Sequence, residues 1–176
     1  GLAVPVLAAV LGGLILLSPY RLSRLQTFFD YSRDPLGSSY HIRQVLLSLG
    51  SGGVFGVGLG QSKQKYEFLP EATTDSIFAV IGEELGLIGG LVVISAFLVF
   101  MSQGFSVVRS APDQFGANLA LAITSWISLQ ALVNLGAMVA IIPLTGVPLP
   151  FISYGGSSLV LVLLASGILV NISRQS

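Results

Sequence analysis

Charged residues divide the chain into long apolar stretches. No charge occurs in residues 1–20, in 85–108 between Glu84 and Arg109, or in 114–173. A helix needs about 20 apolar residues to cross the hydrocarbon core of a bilayer, so each of the first two stretches predicts one span. The third is long enough for two, and IPLTGVPLPFISYGGSS (142–158) divides it with three prolines and three glycines. The pattern predicts an all-α polytopic membrane protein, a single membrane domain over 1–176, with helices near 2–18, 77–101, 117–142 and 157–172. Loops 19–76 and 143–156 fall on one side. Gly1 opens inside an apolar run, with neither an initiator Met nor a charged leader, so the chain reads as a fragment.

Composition agrees: 53% of the 176 residues are hydrophobic and 9% charged, against roughly 25% charged in soluble domains. Eight Lys/Arg balance eight Asp/Glu, so no basic surface points to nucleic acid, and the single histidine, His41, argues against a His-based metal or triad site. The 19–76 loop carries Arg21, Arg24, Arg33, Arg43, Lys63 and Lys65, against Arg109 and Arg174 opposite. By that count alone the loop is cytoplasmic, although at roughly 60 residues the rule weakens.

A loop this long is expected to be functional. Leu22, Leu25, Phe28 and Phe29 recur at helical spacing beside Arg21 and Arg24, predicting an interfacial helix ended by Asp34-Pro35. A short apolar helix is expected near 41–49. GSGGVFGVGLGQ (50–61) follows, with six glycines. It satisfies neither G-x-G-x-x-G nor G-x-x-x-x-G-K-[ST]. Two readings stand: a re-entrant or tightly packed loop in which backbones approach closely, and a backbone-amide cradle for a phosphate, assisted by Lys63 and Lys65.

FLPEATTDSIFAVIGEE (68–84) then holds four carboxylates and no basic residue. With Pro70 in a first helical turn, Glu71 and Asp75 share a face, Glu67 standing one turn back. Like charges so spaced repel by roughly 0.2–0.5 kcal/mol, which calls for Lys63, Lys65, Arg43 or a divalent cation held by Asp75 and Glu71. Asp75 immediately precedes the apolar run from Ile77. A carboxylate partly desolvated there is a better base, while the alternative is that these acids merely solvate a helix mouth. Glu83 and Glu84 lie inside the helix, where an ionised acid costs about 2.5–3.5 kcal/mol at the bilayer centre; they must face an interface, a cavity or a partner charge. Gly82, Gly86 and Gly90 form a small-residue stripe expected to pack against another span.

GVGLGQSKQKYEFLPEATTDSIFAVIGEELGLIGG (56–90) and GVPLPFISYGGSS (146–158) together resemble the signature regions of the SEDS family of shape, elongation, division and sporulation proteins. Both motifs are closer to its FtsW branch than to its RodA branch. The resemblance implies the C-terminal part of a ten-helix fold, with loop 19–76 extracytoplasmic, which overrules the charge count. It implies a peptidoglycan glycosyltransferase of the bacterial cytoplasmic membrane that polymerises lipid II, undecaprenyl-pyrophosphate-linked disaccharide peptide. The 4-hydroxyl of a GlcNAc attacks the anomeric carbon of a MurNAc with inversion. Asp75 matches the catalytic carboxylate, Glu67 and Glu71 acids of the same loop, and Lys65 a loop lysine. Arg43, Lys63, Lys65 or a divalent cation such as Mg or Mn would steady the departing pyrophosphate. The implied partners are a class B penicillin-binding protein and divisome or elongasome proteins. Pro148, Pro150, Tyr154, Gly155 and Gly156 would close the same face or serve as a rigid turn. Thr73 and Ser76 depart from the pattern, standing where many members carry His and Phe. A lipid II flippase and a non-catalytic scaffold are the alternative functions. The 176 residues alone are expected to be inactive.

Overall fold

A computed structural model describes residues 38–62 and 74–175. Within them lie four helices: α1 (Ser38–Ser51), α2 (Ile77–Ser110), α3 (Gln114–Met138) and α4 (Gly156–Arg174). The expected span 2–18, the interfacial helix after it, and Lys63, Lys65, Glu67, Pro70, Glu71 and Thr73 lie outside the described residues.

Helices α2, α3 and α4 are long and apolar enough to cross a membrane, and their large side chains beyond the core stay outward and apolar, Val92, Leu129 and Leu164 among them. Helix α2 runs past its expected end at 101, because nothing stops it before Ala111, which is extended (φ −59, ψ 138) ahead of Pro112. Asp113 then caps α3 by accepting the Gly116 N–H at 2.8 Å, an interaction worth about 1 kcal/mol. The three-residue connector makes α2 and α3 antiparallel neighbours. Helix α3 stops at Met138 rather than 142, where Ala140 enters the left-handed region (φ 56).

The principal departure from expectation lies within α2. Gly86 is non-helical (φ 68, ψ −163) and splits the helix into 77–85 and 87–110. The Phe78 ring lies 3.5 Å from where a Gly90 Cβ would stand; in an unbroken helix twelve positions separate residues by about 18 Å. The first segment therefore folds back along the second. Breaking a helix frees backbone groups that cost several kcal/mol each if left unpaired in hydrocarbon. The glycine-rich loop after α1 takes them up: Val57 and Gly58 N–H donate to the carbonyls of Glu83 and Glu84 at 2.9 and 3.0 Å, and the N–H groups of Leu87 and Ile88 donate to Gly53 and Val54 at 2.9 and 3.3 Å.

This pairing bears on two expectations. Among the described residues the Gly82, Gly86 and Gly90 stripe meets no other span: a Cβ on Gly82 would meet Leu49 of α1, and one on Gly86 would meet the backbone of Val54 and Gly56. In the loop 50–61 the amides of Gly56, Val57 and Gly58 are engaged by protein carbonyls, which favours the tightly packed reading over a cradle built on those three groups. Gly52 and Gly56 serve close backbone approach, the first to Gly82 and Glu83 and the second to Glu84 and Gly86.

Two buried clusters hold the helices together. Ile42 and Val45 of α1 pack with Phe78, Ala79 and Val80 of the folded-back segment, Ala131, Ala137 and Met138 of α3, and Leu144 and Leu149 of the α3–α4 connector. At the opposite end Ala120, Ile123 and Ile127 of α3 pack with Val162, Leu169 and Ile172 of α4. The first cluster underlies Asp75.

Candidate active site

Residues 74–76 form a turn, and α2 begins only at Ile77. The expectation that a helix carries Asp75 is thereby corrected, and the cause is tertiary. The carbonyls of Thr74 and Asp75, which a helix would pair with its own amides, are taken by side chains from elsewhere. Ser153 Oγ donates to the Thr74 carbonyl at 2.6 Å and accepts the Leu149 N–H at 2.7 Å. Asn134 Nδ2 donates to the Asp75 carbonyl at 2.9 Å and to the Val147 carbonyl at 2.7 Å. Ser76 Oγ lies 2.7 Å from His41 Nε2. Three consecutive residues are thus each pinned by a different element: the α3–α4 connector, α3 and α1.

The turn places Asp75, half-buried, on a cavity of about 60 Å³ bordered also by His41, Asn134, Thr145, Gly146 and Val147, over the apolar floor of Ala137, Met138 and Leu144. Such a volume admits one or two waters or a substrate hydroxyl. A carboxylate there sits just before a helix N-terminus, where negative charge is favoured. The connector residues 144–147 thus border the same cavity as Asp75, although the expected Tyr154 itself is 80% exposed. Gln130 Nε2 steadies this connector by donating to the Pro148 carbonyl at 3.0 Å. Gly155 and Gly156 start α4, and Pro150 is buried.

Arg43 is exposed on α1 and does not border the cavity. No three metal-ligating side chains converge among the described residues, and Glu71, the expected partner of Asp75 for a divalent cation, lies outside them.

Glu83 is 3% exposed and anchors α2 to the structure around it. Its Oε2 accepts from Ser62 Oγ at 2.6 Å and from Ser48 Oγ at 3.1 Å. Glu84 is half-buried, with Oε1 shielded from solvent and without a hydrogen-bond partner among the described residues. Glu83→Leu would remove the carboxylate oxygen that accepts from the buried Ser48 and Ser62 hydroxyls, a loss of about 1–3 kcal/mol. A lowered unfolding midpoint of the detergent-solubilised protein, partly restored by Glu83→Gln, is the expected outcome.

Asn134 and His41 were not among the expected site residues. The signal for Asn134 was in the sequence: it is one of the few strong hydrogen-bonding side chains in the uncharged stretch 114–173, and a polar residue inside a span marks a function or a packing bond. Asn134→Asp replaces the donating amide by oxygen against two carbonyl oxygens. It should destabilise by about 2 kcal/mol or more, read as a loss of melting temperature that Asn134→Ala matches only in part.

A family model described as "Cell cycle protein", covering FtsW, RodA and SpoVE, matches residues 2–176. The chain is 48% identical over 164 residues to stage V sporulation protein E of Bacillus subtilis, covering 93% of this chain and 45% of that protein. It is 43% identical over 178 residues to the "Probable peptidoglycan glycosyltransferase FtsW" of Thioalkalivibrio sulfidiphilus, covering 99% of this chain and 44% of that one. The chain therefore spans somewhat less than half the length of these curated relatives. A solved structure described as "Structural coordination of polymerization and crosslinking by a peptidoglycan synthase complex" superposes with a TM-score of 0.70 at 26% identity, covering 98% of this chain and 48% of its counterpart.

Proposed function

Because the chain belongs to the FtsW/RodA/SpoVE family of cell cycle proteins, we propose that it supplies the reacting carboxylate of a peptidoglycan glycosyltransferase that polymerises lipid II. One observation carries the reading: Asp75 stands on a small polar cavity in a turn whose three residues are each fixed from a different element. A general base must be held within hydrogen-bond reach of the proton it removes, and such pinning provides that. In the proposed step the acceptor 4-hydroxyl gives its proton to Asp75 as its oxygen bonds to the anomeric carbon of the lipid-linked MurNAc. The bond from that carbon to the pyrophosphate oxygen breaks, and undecaprenyl pyrophosphate leaves with the electron pair. Lys63 and Lys65, or a divalent cation taken by Asp75 and Glu71, would offset the leaving charge.

The reading puts loops 19–76 and 143–156 on the extracytoplasmic side of the bacterial cytoplasmic membrane, beside a class B penicillin-binding protein and the proteins of the divisome or elongasome. The likeness to a chain from a peptidoglycan synthase complex supports the partner. A lipid II flippase would draw on intramembrane acids, but the Glu83 carboxylate is committed to Ser48 and Ser62. The test is the full-length protein, purified with its transpeptidase and given lipid II. Glycan strands are expected; lipid II crossing a vesicle bilayer without polymer would sink the reading.

A further inference from the structure

His41 is the chain's one histidine, and it sits half-buried on the first turns of α1. Its contact with Ser76 is out of the ordinary for the residue that Ser76 is. Ser76 is the N-cap of α2, fully buried, and its carbonyl accepts the N–H groups of Ala79 and Val80 at 3.0 and 3.4 Å. A serine at this position ordinarily turns its hydroxyl onto the first free amides of the helix, which is worth about 1 kcal/mol. Here the hydroxyl makes no such cap; it is directed instead to His41 Nε2, across 35 positions of sequence. Ser76 stands at φ −96, ψ 11, outside the extended conformation from which a serine caps its own helix, and this leaves its hydroxyl to the distant partner.

The consequence of that diversion falls on Asp75. Serine and aspartate are adjacent, so fixing the Ser76 side chain sets the rotation of the turn about its own axis, while Ser153 and Asn134 fix only backbone carbonyls. The His41 ring borders the same cavity as Asp75. We propose that His41 is a positioning residue of this site, which through the Ser76 hydroxyl sets the direction in which the Asp75 carboxylate enters the cavity. It rests on the reading of Asp75 as the reacting carboxylate. A displacement of about 1 Å at a reacting group can cost on the order of 100-fold in rate, so a side chain that holds the turn from the wall of the same cavity can govern it.

The experiment uses the full-length protein in complex with its transpeptidase, with lipid II as substrate and hydrogen–deuterium exchange as a second readout. His41→Ala is expected to lower kcat by roughly 10- to 100-fold with little change in KM. His41→Gln, whose amide can reach the same hydroxyl, should restore most of the rate. Ser76→Ala should reproduce the loss, and the double variant should lose no more than either single one, because both act through one contact. Independently of any activity, exchange across residues 74–80 should quicken in His41→Ala and return toward wild type in His41→Gln. Undiminished kcat in His41→Ala, additive losses in the double variant, or unaltered exchange across 74–80 would each overturn the proposal. A wild-type complex that makes no polymer would instead count against the polymerase reading, and the exchange measurement would still decide the role of His41.

Discussion

Gly86→Ala in the full-length protein is expected to lower stability by about 2–6 kcal/mol, enough to deplete the folded, monodisperse protein recovered in detergent. Two costs add. Gly86 has φ 68, where a side chain is strained, at roughly 1–3 kcal/mol. The new Cβ would also press on the backbone of Gly56 and Val54, and overpacking costs a further 1–3 kcal/mol or so. The backbone cannot yield cheaply, because the bonds of Leu87 and Ile88 to Gly53 and Val54 are what satisfy the broken helix. Gly56→Ala should behave alike, as its Cβ would run into the Glu84 carbonyl from the other side. Gly50→Ala is the control: nothing lies within 4 Å of its Cβ, and its melting temperature should match wild type or exceed it.

The second large effect is on chemistry rather than folding. Asp75→Ala should reduce polymerisation by about 10²–10⁴-fold, the usual contribution of a positioned general base. The turn itself should persist, and the unfolding midpoint should fall less than in Glu83→Leu, because the Ser153, Asn134 and His41 bonds use the Thr74 and Asp75 carbonyls and the Ser76 hydroxyl. That separation of rate from stability distinguishes Asp75 from Glu83, whose carboxylate is itself the structural bond. Two acids eight positions apart in one motif therefore part into different roles: Asp75 borders a cavity, and Glu83 is committed to two serines.

The spans were legible because burial in lipid demands long uncharged runs, and α2 and α4 start at or within one residue of where those runs place them. The break at Gly86 was not. Glycines at 82, 86 and 90 read equally well as a packing stripe, and only the loop from Gly53 to Gly58 pairing across them reveals that one glycine interrupts the helix. The extension of α2 to Ser110 was recoverable from Pro112, the next residue able to stop it. In the site, Asp75 was legible by its place at a helix mouth and by the motif around it. Its anchors were not, since His41, Asn134 and Ser153 reach it across 35, 59 and 79 positions respectively, and local periodicity carries no trace of such contacts. The lone histidine, set aside because a metal or triad site needs companions, finds them in a serine hydroxyl and a cavity wall.

The central claim is that the Asp75 cavity, and not the acids within α2, performs the transfer. It is tested most directly by giving lipid II to the full-length protein and its transpeptidase as wild type, Asp75→Ala and Glu84→Gln, and resolving the glycan strands by length. The account predicts strands from wild type and Glu84→Gln and none above background from Asp75→Ala at equal folded protein. Strands of undiminished yield from Asp75→Ala would contradict it.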